Sequence, residues 1–100
     1  MKATLKANIR DALDNPIKTG DLVFVFGRAG ARPIIVGRVM AFRVDGEGVP
    51  RQVLAQCVRW SFGAWVRIPG LKPYAAVNVV CVPFKIQHHL LTSALKRLLL

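Results

Sequence analysis

Apolar residues Leu5, Ile9, Ala12 and Leu13 recur at i, i+4, i+7 and i+8, which predicts a short helix over residues 3–14. Asn15-Pro16 ends it, because proline disfavours a helical residue before it and cannot continue the helix. At about three turns such a helix is marginal alone and must dock on something. From Gly20 the period changes. Asp21 to Phe26 is a β-rich run between Gly20 and Gly27, and Arg28 to Pro33 reads as a loop. Ile34 to Arg43 reads as a longer strand, with Gly37 marking a bulge or a close backbone approach. Asp45-Gly46-Glu47-Gly48 is a turn by composition.

Gln52 to Trp60 and Ala64 to Ile68 then form a hairpin across a three-residue Ser61-Phe62-Gly63 loop. Pro69-Gly70 breaks the second of these strands, and Ala75 to Val82 supplies a fifth, closed by Pro83. Residues 86–100 return to helical spacing, with Ile86, Leu90, Leu91, Ala94, Leu95 and Leu98 on one stripe. The fold expected is mainly β with flanking helices. It is a five-stranded small barrel over 20–83, with an N-terminal helix over 3–14 and a C-terminal amphipathic helix over 86–100. Barrel closure suits so many short strands because it removes exposed edges. At 100 residues the chain makes one domain, 1–100.

Charge changes the picture. The chain carries 15 Lys+Arg against 5 Asp+Glu, a formal +10, with 53% hydrophobic residues. That content excludes a disordered polycation. All five acids lie within residues 1–47, so residues 48–100 carry seven cations and no carboxylate. A surplus of one sign points to a polyanionic partner, because a surface built only for solubility mixes both signs. No apolar run approaches the ~20 residues of a membrane helix, and the first residues lack a secretory hydrophobic region. With two strand cysteines, Cys57 and Cys81, read as reduced thiols, the expected location is the cytoplasm, including that of a phage-infected host.

Thr19-Gly20-Asp21-Leu22-Val23-Phe24-Val25, followed by Ile35-Val36-Gly37-Arg38-Val39, resembles the opening of SH3-like small barrels of the KOW, Tudor and bromo-adjacent-homology kind. There a GDxVxV strand leads through a variable loop to a strand containing xGxV. The resemblance covers about residues 18–84. It implies the barrel fold and a tendency to bind nucleic acid or protein tails, and it names no single function. The chain departs from Tudor-type readers, which carry an aromatic cage; here Trp60, Phe62, Trp65 and Tyr74 are scattered over one hairpin and a loop.

Pairing Trp60 with Ala64 sets Arg59 opposite Trp65, Val58 opposite Val66 and Cys57 opposite Arg67. Val58, Val66 and Ile68 then face the core, and Trp60 joins Val58 there. Arg59, Trp65 and Arg67 share the solvated face, where an indole between two guanidiniums can stack a base and hold its phosphates. The same trio also suits a surface cation–π cluster around a structural Trp. Arg28, Arg32, Arg51 and Lys72 extend the patch from neighbouring loops and strand ends.

In the C-terminal stretch, Ile86, Leu90, Leu91, Leu95 and Leu98 either cap the barrel or form a dimer or partner interface. A membrane surface is disfavoured by the absence of an interfacial Trp in that stretch. Enzyme chemistry has little support. Asp11 and Asp14 read as ordinary surface acids, Asp45 and Glu47 belong to a turn, and adjacent His88 and His89 diverge by about 100° on a helix. Cys57 and Cys81 lack zinc-site spacing with either histidine, so no metal or other cofactor is expected. The sequence therefore points to a small basic nucleic-acid-binding protein, a regulatory or accessory factor of phage, plasmid or bacterial type. Its alternatives are a module that inhibits or recruits an acidic protein, or an assembly component using the C-terminal helix.

Overall fold

In the computed structural model, residues 2–5, 8–26 and 35–82 are described. Six strands form one antiparallel sheet: β1 (Lys2–Thr4), β2 (Leu22–Val25), β3 (Ile35–Val44), β4 (Pro50–Ser61), β5 (Ala64–Ala75) and β6 (Val79–Cys81). A single 3₁₀ turn, Ala76–Asn78, joins the last two. The strand order is β5-β4-β3-β2-β6, and β1 pairs with the far half of β3 beside β2.

This corrects the expected five-stranded barrel with flanking helices. No α-helix occurs among the described residues. Over residues 3–14 the helical stripe does not form: Ile9 is buried, but Leu5 and Leu13 are exposed. Two local contacts replace it. Lys2–Thr4 adds a strand along Phe42–Val44, and the Asp11 carboxylate accepts backbone N–H bonds from Leu13 (2.9 Å) and Asn15 (2.8 Å). A short Asp side chain that bonds its own backbone competes with helix formation in this way. Arg10 and Pro16 then bridge as a narrow loop, which carries Ile9 and Ile17 into the core. The expected C-terminal helix, with Ile86, Leu90, Leu91, Leu95 and Leu98, lies outside the described residues.

Alternation along the strands sorts the side chains onto two faces. Val23 and Val25 of β2, Val39 and Phe42 of β3, Val53 of β4 and Val79 of β6 form the larger cluster, covered by Ile9, Ile17 and Ala76. On the opposite face, Leu22, Val36, Val58 and Val82 form a smaller cluster, with Phe24 and Trp65 packed against it. β-Branched residues dominate both, as suits pleated, two-sided burial. Gly37 sits at a close backbone approach, as its place in the sequence suggests: a Cβ there would lie 2.8 Å from Cys57 Sγ and 3.2 Å from Ala55 Cβ. The bulge in β3 falls instead between Val39 and Ala41.

β5 does not stop at Pro69-Gly70. It runs on to Ala75, with Ile68, Pro69 and Gly70 taken up in an irregularity opposite Cys57. As the edge strand of the sheet, β5 has ladder positions that need no donor, where proline is tolerated. The two prolines and the irregularity also blunt an edge that would otherwise invite another strand.

Candidate nucleic-acid interface

The β4–β5 hairpin closes through two residues, Phe62 and Gly63, with Ser61 opposite Ala64. Both central residues have positive φ, 49° and 81°, which is the twist-compatible type I′ turn. Phenylalanine is an unusual first residue for it, costing roughly 1 kcal/mol against residues that enter the left-handed region freely. Its ring makes no compensating contact, being fully exposed at 105%.

Closing the loop with two residues rather than three shifts the expected register by one. Trp60 pairs with Trp65, Arg59 with Val66 and Val58 with Arg67. The expected Arg59–Trp65–Arg67 face is therefore divided. Arg67 and Trp65 share a face with Trp60 and Val58, while Arg59 stands on the other with Val66. Two expected burials are corrected with it. Trp60 is 44% exposed rather than core, and Val66 is exposed too. Trp65 leans onto the smaller cluster, half-buried. The two indoles meet edge to face, centroids 5.3 Å apart and planes at 73°, a favoured aromatic geometry.

The bulge between Val39 and Ala41 does something alternation alone would not. Arg38 pairs with Gln56, and Arg43 with Gln52, so both arginines fall on the same face as Trp60, Trp65 and Arg67. Arg43 donates to Gln52 Oε1 at 3.4 Å. Arg38 and Arg43 are half-buried and Arg67 is exposed. Across the described strands this face presents three guanidiniums, two carboxamides, two indoles and no carboxylate. Neither Arg38 nor Arg43 stood out in the sequence.

The other expected site residues are dispersed. Arg51 is exposed, but its Nε donates to Asp45 Oδ2 at 2.9 Å, an ion pair that ties it to the β3–β4 turn. Asp45 also accepts backbone N–H bonds from Glu47 and Val49. The Arg51 hydrogen bond leads these in holding its carboxyl below the usual range. Lys72 is exposed on β5 opposite Ala55, away from the tryptophans. Arg28 and Arg32 lie outside the described residues.

Asp11 is not the surface acid it resembles. It is 5% exposed, and its Oδ2 accepts the backbone N–H of Cys81 at 2.8 Å across a sequence separation of 70. Burial pushes its carboxyl up, but the N–H bonds from Cys81, Asn15 and Leu13 together hold it below the usual range. Burial and the neighbouring carboxylates of Asp11 and Asp21 push the Cys81 thiol up to about 12. Cys57 is buried, which raises its thiol, and the Tyr74 hydroxyl nearby acts in the opposite direction. At about pH 8, Cys81 is expected to alkylate with iodoacetamide at least about a hundredfold more slowly than free cysteine despite its partial exposure, because only thiolate reacts. Mass spectrometry of timed aliquots reads the rate.

Among the described residues no three His, Cys, Asp or Glu side chains gather as a metal site, and no helix is long and apolar enough to cross a membrane. Comparison of the chain with family models, with curated proteins and with solved structures returns no match.

Proposed function

We propose that this protein is a small basic nucleic-acid-binding protein, a regulatory or accessory factor of phage, plasmid or bacterial type acting in the cytoplasm. The observation that carries the reading is the carboxylate-free face holding Arg38, Arg43 and Arg67 beside the Trp60–Trp65 pair. Guanidiniums fork onto phosphate oxygens, glutamine amides bond base edges or sugars, and exposed indole accepts a stacked base. The +10 charge adds long-range attraction. The chemistry at this face is binding rather than catalysis.

Retardation of single- and double-stranded DNA and RNA over a salt series tests it. Binding should weaken steeply with salt, about one power per phosphate neutralised. Arg38→Ala with Arg67→Ala should lower the affinity and flatten the slope by about two powers, if each guanidinium holds one phosphate. No retardation of any nucleic acid at low salt rejects the proposal. Recovery from cells of an acidic protein partner that survives nuclease would favour a protein-binding module instead.

A further inference from the structure

We infer that the tip of the β4–β5 hairpin is a stacking site for unpaired bases, formed by Trp60 and Phe62, with Trp65 as its support. This rests on the nucleic-acid reading above and specifies the form of nucleic acid it takes. Phe62 is wholly exposed at the apex, and Trp60 is 44% exposed one turn of the pleat behind it. Trp65 holds Trp60 edge-on from the half-buried side. Trp60 is thereby fixed as a platform rather than left as a mobile side chain. The apex keeps a left-handed phenylalanine where asparagine or glycine would be relaxed, and an outlier without structural gain points to use.

The surroundings select the occupant. Arg59 flanks the tip on one face and Arg67 on the other, with no acid anywhere in residues 48–100. A strand whose bases stack on Trp60 would run along the face that carries Arg67. In a duplex the base faces are already stacked, so only an unpaired or frayed strand can use the rings. A bilayer is the poorer occupant. Phe62 stands between Ser61 and Gly63, with Ala64 beyond, so Ser61 separates it from Trp60 and the tip forms no contiguous apolar wedge.

The full chain is titrated with fluorescein-labelled oligothymidine of about 20 nucleotides, with a duplex of the same length, and with anionic phosphatidylglycerol vesicles, at about 50 mM salt. The wild type should prefer the single strand and quench Trp fluorescence on binding it. Phe62→Asn should weaken single-strand binding about tenfold and duplex binding by less than about twofold. It should also raise Tm by a few degrees, because asparagine relaxes the turn. A loss of binding in a more stable protein cannot be a folding defect. Trp60→Ala should lose single-strand affinity and the quench, and Val77→Ser, exposed at the far end of the sheet, should change neither. Equal loss on single strand and duplex, or no loss with Phe62→Asn, overturns the inference while leaving the nucleic-acid reading intact. Vesicle binding that Phe62→Asn abolishes, without single-strand preference, overturns it in favour of lipid. Failure of the wild type to bind either nucleic acid overturns both.

Discussion

Gly37→Ala is expected to lower stability by roughly 1–3 kcal/mol, and Gly37→Val to leave little folded protein at room temperature. The cause is local. A Cβ at this position would meet Cys57 Sγ at 2.8 Å and Ala55 Cβ at 3.2 Å, the first closer than non-bonded carbon and sulfur tolerate. The sulfur has little room to move. Cys57 is fully buried, and its thiol donates to the Ala55 carbonyl at 3.7 Å. Gly37 also pairs with Val23 on one side and Cys57 on the other, so relief by backbone movement would open two ladders at once. Against this, alanine returns only about 0.5–1 kcal/mol through lost chain entropy and better strand propensity. Urea denaturation measures the balance. The decisive comparison is the double variant Gly37→Ala with Cys57→Ala, which removes the obstructing sulfur. The two changes should together cost less than the sum of each alone, by about 1 kcal/mol or more. Strict additivity would show that the contact does not limit this position.

Much of the sheet can be read from residue pattern alone, because strands buried on one or both faces advertise themselves in β-branched runs. The cores of β2, β3 and β4 fall within a few residues of the expected runs, and Gly37 marks a close approach in both sequence and structure. What escaped the pattern has identifiable causes. The helix expected over 3–14 rests on a correct period whose residues are recruited elsewhere, Ile9 by the core and Asp11 by distant backbone. Local pattern cannot show a partner 70 residues away. β5 passes Pro69-Gly70 because it is an edge, a property of topology and not of residue type.

The interface shows the same limit in sharper form. Ser61-Phe62-Gly63 is compatible with a two- or a three-residue loop, and since side chains alternate, one residue exchanges every face. Trp65 and Arg67 keep company, but Arg59 changes sides and Trp60 takes its place. Arg38 and Arg43 are five residues apart, an odd spacing that simple alternation assigns to opposite faces. Only the extra residue at the bulge between Val39 and Ala41 unites them. The basic and aromatic composition of the region was legible, but its arrangement depends on two backbone irregularities with weak sequence signatures.

Asp11→Ala is expected to cost about 2–4 kcal/mol, although nothing about an aspartate in a polar loop suggests it. The carboxylate is the common acceptor for three backbone N–H groups, from Leu13, Asn15 and Cys81. Removing it leaves those donors without the acceptor that replaced water, and leaves the Ala12 N–H bond to the Val79 carbonyl at 2.9 Å to hold the loop to β6. Ile9 and Ile17, which the loop holds over the larger cluster, lose one of the loop's ties to β6. Asp11→Asn separates shape from charge. Its carbonyl oxygen can serve Leu13 and Asn15, but the amide nitrogen then faces the Cys81 N–H, donor against donor. It should therefore remain well below wild type. The pH dependence has a definite sign. Asp11 titrates lower in the native state than in the unfolded chain, where aspartate lies near 3.9. The native state thus binds this proton less readily. Its contribution is complete above about pH 5 and disappears as acidification passes through the native value. Urea midpoints of the wild type should fall between about pH 5 and pH 2 more steeply than those of Asp11→Asn. Parallel acid limbs for the two proteins would assign the acid sensitivity to other carboxylates and leave the Asp11 contacts electrostatically neutral.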